Sequence, residues 1–93
     1  MNNNNDPIRV PIDGTLDLHT FQPSDIKKLI PEYIETCRKM GIYQIRIIHG
    51  KGTGTLREIV RSILQNNPIV LDFRHESGSG GGWGATVVDL KKS

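Results

Sequence analysis

Apolar residues follow two different spacings along this chain. In four short runs, at residues 15–19, 45–48, 69–75 and 85–90, they alternate with polar residues or stand together, as is typical of β-strands. Between the first three runs they return every three or four positions, as they do on one face of a helix. The pattern therefore predicts the element order βαβαββ.

The two helical stretches carry recognisable start and stop signals. Ser24 is a candidate N-cap and Gly41 a C-terminal stop for the first helix, and Pro31 is expected to kink that helix or delay its start. Thr55 and Glu58 have the spacing of a capping box for the second. The predicted apolar faces are Ile26, Leu29, Ile30, Tyr33, Ile34, Cys37 and Met40, and then Leu56, Ile59, Val60, Ile63 and Leu64.

This order of elements constrains where the strand ends lie. Right-handed crossovers make the first three strands parallel with both helices on one face, and the fourth strand, reached through a loop, should run antiparallel. The segments after strands one, two and three then meet at one rim, where open α/β sheets generally bind ligands. We therefore expect the polar residues at these strand ends to form a site.

The most informative of these segments is His49-Gly50-Lys51-Gly52-Thr53-Gly54, which joins the second strand to the second helix. Glycines before a helix aim backbone N–H groups and the positive helix end at one point, an arrangement that attracts phosphate. The spacing is not that of an NTPase P-loop. We interpret the segment as a phosphate cradle with Lys51 supplying charge; a plain tight turn is the alternative.

Three further sets of residues bear on the chemistry. Asp17 and His19 share one face of the first strand and are either an acid–base pair or two ordinary polar residues at a strand end. In the glycine-rich segment before the fourth strand, Trp83 either stacks on a base or pins the loop to the sheet. No Cys/His set has zinc spacing, so we predict no metal ligands.

Composition narrows the protein class without deciding the function. With 93 residues, 35% hydrophobic and 24% charged, the chain is expected to form one domain over residues 14–93 after a flexible arm at 1–13. A net charge of +2 permits nucleic acid as a partner without arguing for it. One cysteine, no long apolar run and a polar N-terminus favour a cytoplasmic protein with no membrane association.

Three segments together resemble the Smr (small MutS-related) domain, here as a stand-alone short form. They are Leu16 to His19 for the family's LDLHG, His49 to Arg57 for HGxGxG-x-L-R, and Gly81 to Val87 for GGxGxT-x-V, with Thr20 where the family usually has glycine. The resemblance implies a two-layer α/β sandwich with a mixed sheet of order 1-2-4-3, similar to the C-terminal domain of bacterial translation initiation factor three.

The resemblance also implies DNA or RNA binding, with endonuclease or nicking activity in several members and a metal dependence that varies, so Mg or Mn is a conceivable cofactor. On this hypothesis Asp17 assists His19, and His19 or His49 moves the proton. The expected phosphate and strand contacts are Gly50, Lys51, Gly52, Thr53, Gly54, Arg57, Gly82, Trp83 and Gly84. A non-cutting nucleic-acid adaptor is the rival, a small phosphorylated ligand is a third reading, and we expect a monomer. A role in DNA repair would rest on the family name alone.

Overall fold

The computed structural model describes residues 11–50, 54–76 and 84–92 of the chain. Its elements are β1 (Thr15–Asp17), α1 (Pro23–Lys39), β2 (Gln44–Ile48), α2 (Thr55–Gln65), β3 (Val70–His75) and β4 (Ala85–Leu90). The predicted order βαβαββ is confirmed. Within the described ranges, no helix is both long enough and apolar enough to span a membrane.

The four strands form one mixed sheet in the order β1-β2-β4-β3. β1 runs parallel to β2, whereas β4 is antiparallel to both β2 and β3. The first three strands are therefore parallel, and the last strand lies between two of them. The α/β sandwich with sheet order 1-2-4-3 and an antiparallel fourth strand is confirmed.

Both helices pack on one face of this sheet and enclose the core. Ile45, Ile47 and Val88 point toward the helices, and six residues of α1 are buried against them, namely Ile26, Leu29, Ile30, Tyr33, Ile34 and Cys37. Cys37 is fully buried, as predicted for a core residue. Met40 was expected on the same stripe but is 58% exposed, because the helix ends at Lys39 and Met40 is its C-cap.

The helix ends depart from the sequence signals in three places. Gln22, not Ser24, is the N-cap of α1, because Pro23 takes the first helical position, where a missing N–H costs nothing. The helix continues through Pro31, so its start is not delayed. Gly54, not Thr55, is the N-cap of α2, so Thr55 is already helical and the capping box does not form.

The C-terminal stop of α1 is as predicted. Gly41 has φ +81°, a conformation that glycine adopts without strain. Its N–H donates to the Arg38 carbonyl at 3.1 Å, and that of Ile42 donates to the Cys37 carbonyl at 2.8 Å. This pair of bonds is a Schellman motif, and it turns the chain directly into β2.

One buried hydrogen bond fixes the entry to β1. The Gly14 N–H donates to the hydroxyl of Tyr33 at 3.0 Å, and burial raises the pKa of that hydroxyl to about 12. The bond ties the turn before β1 to the middle of α1, so it sets where the strand begins.

We predict that Tyr33→Phe destabilises the domain by about 1–3 kcal/mol, because it leaves a buried N–H without its acceptor. Urea unfolding followed by circular dichroism measures the change. Tyr43→Phe is the matched control, since in the described part of the chain no hydrogen bond from the Tyr43 hydroxyl is found. Equal, small effects of both substitutions would contradict a stabilising role for the hydrogen bond between Gly14 and Tyr33.

Candidate functional site

The ends of β1 and β2 and the start of β4 are joined by backbone hydrogen bonds. The Gly84 carbonyl accepts from the N–H of His49 at 2.9 Å and from that of Gly50 at 2.8 Å. On the other side of β2, the Leu18 N–H donates to the Ile48 carbonyl at 2.9 Å. The predicted meeting of the strand ends at one rim is therefore confirmed, and Gly84 lies at this rim.

A groove of about 400 Å³ opens at this rim between the turn after β1 and the start of α2. Its lining residues are Leu18, His19, Phe21, Pro23, His49, Gly50, Gly54, Thr55, Leu56, Arg57 and Ile59. Among these described residues there are two histidines and an arginine but no carboxylate. The groove therefore has the charge of a site for an anion.

Two predicted residues, His19 and Asp17, lie differently with respect to this groove. His19 lines it, with a side chain that is 81% exposed. Asp17 is absent from the lining and belongs to the sheet face opposite the helices, since its neighbours Leu16 and Leu18 are buried in the core.

A short contact nevertheless links these two residues. The His19 N–H donates to Oδ1 of Asp17 at 2.9 Å, and the same oxygen is 3.8 Å from Nδ1 of the ring. The first contact is a hydrogen bond and the second is too long for one. Asp17 thus fixes the backbone of the turn that carries His19.

His49 is buried, with 7% of its surface exposed. The reason is that it continues the alternation of Ile45 and Ile47, so that it lies on the helix side of β2. Its Nδ1 lies 2.9 Å from the Gly50 carbonyl and its Nε2 lies 2.9 Å from Oγ1 of Thr86. A carbonyl only accepts, so Nδ1 carries the proton and Nε2 of the neutral ring accepts from the threonine hydroxyl.

Burial lowers the pKa of His49, and the nearby His75 and Arg57 lower it further, against the opposing effect of the Gly50 carbonyl. His75 extends the array outward, since its Nδ1 lies 3.4 Å from the same threonine oxygen. Its ring meets that of His49 edge to face at 6.3 Å between centroids. The neutral His49 therefore orients the first glycine of the loop.

Two glycines with left-handed backbone angles bracket residues 51–53, between β2 and α2. Gly50 has φ +81° and Gly54 has φ +90°, values that other L-residues adopt only with strain. A Cβ added to Gly54 would lie 3.6 Å from Nη2 of Arg57, so this guanidinium group stands beside the start of α2. The predicted contacts at Lys51, Gly52, Thr53, Gly82 and Trp83 lie outside the described residues.

Arg57 differs from the other arginines of the described segments in having no carboxylate partner. The other four form ion pairs, Arg38 with Glu35, Arg46 with Glu76, Arg61 with Glu58 and Arg74 with Asp89. On the sheet face opposite the helices the pairs neutralise Arg46 and Arg74. The guanidinium charge that remains available therefore lies at the groove.

Over residues 11–50, 54–76 and 84–92, no cluster of three or more His, Cys, Asp or Glu side chains could hold a metal ion. The described side chains at the rim thus do not fit a metal site of their own.

The sequence interpretation missed two residues of the site. Thr86 was not singled out, although a threonine within a run of buried strand residues signals a polar partner inside the core. Phe21 was not named as a candidate either, although it lines the groove. Its position two residues after His19 is the signal that could have placed it there.

Known proteins are similar to this chain in sequence. Endonuclease MutS2 of Halothermothrix orenii is 36% identical over 80 residues, and that of Geobacillus thermodenitrificans is 40% identical over 76. These alignments cover 86% and 82% of this chain, which spans 10% of the length of each relative.

Two solved structures are similar as well. The Smr domain of Thermus thermophilus MutS2 superposes with a TM-score of 0.77 at 32% identity, covering 85% of this chain and 99% of that one. YdaL, a stand-alone small MutS-related protein from Escherichia coli, gives 0.71 at 28% identity, covering 88% of this chain and 67% of that one. The Smr domain family matches residues 16–91, and the chain therefore belongs to the Smr domain family.

Proposed function

We propose that this chain is an endonuclease that binds DNA or RNA at the groove and cleaves the phosphodiester backbone of that nucleic acid. The observation that carries the proposal is the guanidinium of Arg57, which has no carboxylate partner within the described segments and stands beside Gly54 at a groove without acidic side chains. The curated relatives are named endonucleases, but this chain corresponds to a tenth of their length.

The phosphate is bound where β2 gives way to α2. Gly50 and Gly54 bracket the loop, and the start of α2 adds the positive end of the helix dipole. Lys51, between them in the sequence, supplies a second positive charge to the same segment. Together these groups hold one phosphate and stabilise the additional negative charge of the transition state.

His19 is the group that moves a proton. A water or ribose hydroxyl oxygen attacks phosphorus and gives its proton to the imidazole; the bond from phosphorus to the leaving oxygen breaks, that oxygen takes up a proton from solvent, and the imidazolium then releases its proton to solvent. Asp17 holds the turn that carries this imidazole, because its carboxylate accepts the backbone N–H of His19. His49 does not share this task, because both its ring nitrogens are engaged within the protein.

A nucleic-acid adaptor without cleavage activity is the second candidate. It is favoured by the separation of the two histidines of the groove lining into one exposed and one buried ring, which leaves a single imidazole of that described lining for acid–base work. The same phosphate contacts serve this function, so binding and cleavage must be measured separately.

We predict that Arg57→Gln weakens binding to an oligonucleotide by about tenfold and reduces the slope of log K against log salt by about one, because one phosphate contact is lost. Fluorescence anisotropy at several salt concentrations measures both quantities. Arg61→Gln, one turn further along α2 and paired with Glu58, is the matched control and should change neither. Equal effects of the two substitutions would remove Arg57 from the interface.

We predict that His19→Ala lowers the cleavage rate by about 100-fold or more and leaves the dissociation constant unchanged, since the loss of a general base affects the chemical step. The substrates are supercoiled DNA and a structured RNA, each with magnesium, with manganese and with chelator. His75→Ala is the control at an exposed histidine outside the groove lining. Salt-sensitive binding with no cleavage by the parent under any condition would instead favour the adaptor.

We predict that the free energy of unfolding falls as the pH drops below 6.5, the ordinary pKa of histidine, and that His49→Gln reduces this dependence. The pKa of His49 is lowered in the folded state, so the unfolded chain takes up the proton first and stability is lost on acidification. Urea unfolding between about pH 7.5 and 5.5 tests the sign. His19→Gln, at an exposed ring, should keep the slope of the parent; a parent slope unaffected by His49→Gln would refute the assignment.

A further inference from the structure

The groove has an apolar wall that binding of a phosphate does not use. Leu18, Phe21, Leu56 and Ile59 form this apolar part of the lining, which also contains the polar groups of His19 and Arg57. We propose that this wall receives the base of one unpaired nucleotide, with Phe21 as its stacking surface. The inference rests on the proposed function and names the part of the nucleic acid that the groove selects.

Phe21 is held in place before any ligand arrives. Its N–H donates to the Leu18 carbonyl at 3.1 Å, which closes the turn after β1. The side chain is half-buried, packing against the hydrophobic core while also lining the groove. Binding therefore costs little side-chain entropy, and the ring offers a flat apolar surface two residues from His19.

The charge distribution of the groove selects a particular kind of ligand. An anionic group is favoured by Arg57 and by the absence of carboxylates from the described lining, whereas Leu18, Phe21, Leu56 and Ile59 favour an apolar group. A nucleotide joins a phosphate to a flat base and so matches both parts of the lining. The volume of about 400 Å³ is also within the usual range for sites that enclose small molecules.

Pairing decides which nucleotides can enter. A base inside a duplex is stacked on both faces, so it has no free surface for an aromatic side chain. An unpaired base does have such a surface. The groove therefore directs the domain to loops, flaps, bulges and junctions. With the unpaired base in the groove, the phosphate that adjoins this base would lie beside His19.

The test compares two ligands that differ by one base. A duplex with a single unpaired adenosine is measured against the same duplex in which that nucleotide is abasic, in DNA and in RNA, by fluorescence anisotropy. The parent should prefer the ligand with the base by roughly 5- to 100-fold, the range that stacking on one aromatic ring supplies. Phe21→Leu should lose most of that preference and bind the abasic ligand as the parent does.

Phe73→Leu is the matched control, because Phe73 is also half-buried against the core but lies on β3, away from the groove lining. It should keep the preference for the base. If Phe21→Leu does not fold, 2-aminopurine at the unpaired position still decides, since its emission must change when the parent binds and the base enters the groove.

Equal affinity of the parent for both ligands, with salt-sensitive binding, would overturn the base site while the proposed phosphate binding stands. Absence of binding to any nucleic acid by the folded parent would overturn both. Displacement of the oligonucleotide by a free nucleoside monophosphate at about the same concentration as the oligonucleotide would also overturn the inference. It would reassign the groove to a small phosphorylated ligand.

Discussion

A single carbonyl oxygen, that of Gly84, holds the candidate site together. It accepts the N–H groups of both His49 and Gly50, which its two lone pairs allow. The contact exists because β4 lies directly beside β2, so the residue before β4 meets the residues after β2. The residues after β2 and the residue before β4 therefore depend on one strand order for their position.

The polar array beneath this contact explains how a histidine can be buried at the end of a core strand. A neutral imidazole has one donor and one acceptor, and both are satisfied by the Gly50 carbonyl and the Thr86 hydroxyl. An apolar side chain in place of His49 or of Thr86 would leave the other residue's polar group unsatisfied inside the core. Such a loss costs more than a typical hydrogen bond contributes. The loop geometry is thus linked to the core packing.

Patterns with a strong period predicted the fold well. The bounds 85–90 were correct for β4, and the stop at Gly41 was correct because a left-handed glycine has few other uses after an apolar stripe. The N-caps were wrong, since Gly54 and Gln22 take those positions through backbone geometry alone. Local spacing could not show which of two neighbouring residues enters the helix first.

For the site, the sequence identified the rim but not the division of roles within it. His19 and His49 have similar surroundings in the sequence, yet one ring is exposed and the other is buried, because His49 keeps the alternation of β2 whereas His19 follows the end of β1. The isolation of Arg57 depends on which carboxylates the other arginines reach, and Arg46 and Arg74 find theirs across the sheet. Such pairings become visible only when the register is known.

The central place of β4 has a consequence for how the molecule is made. β4 is the last element along the chain, yet it separates β2 from β3, so those two strands have no neighbour in common until residues 85–90 have been synthesised. The contacts that close the sheet join distant parts of the sequence, and such contacts slow folding. A nascent chain on the ribosome would therefore carry both helices with an incomplete sheet, and its groove would gain its final shape only after β4 had docked.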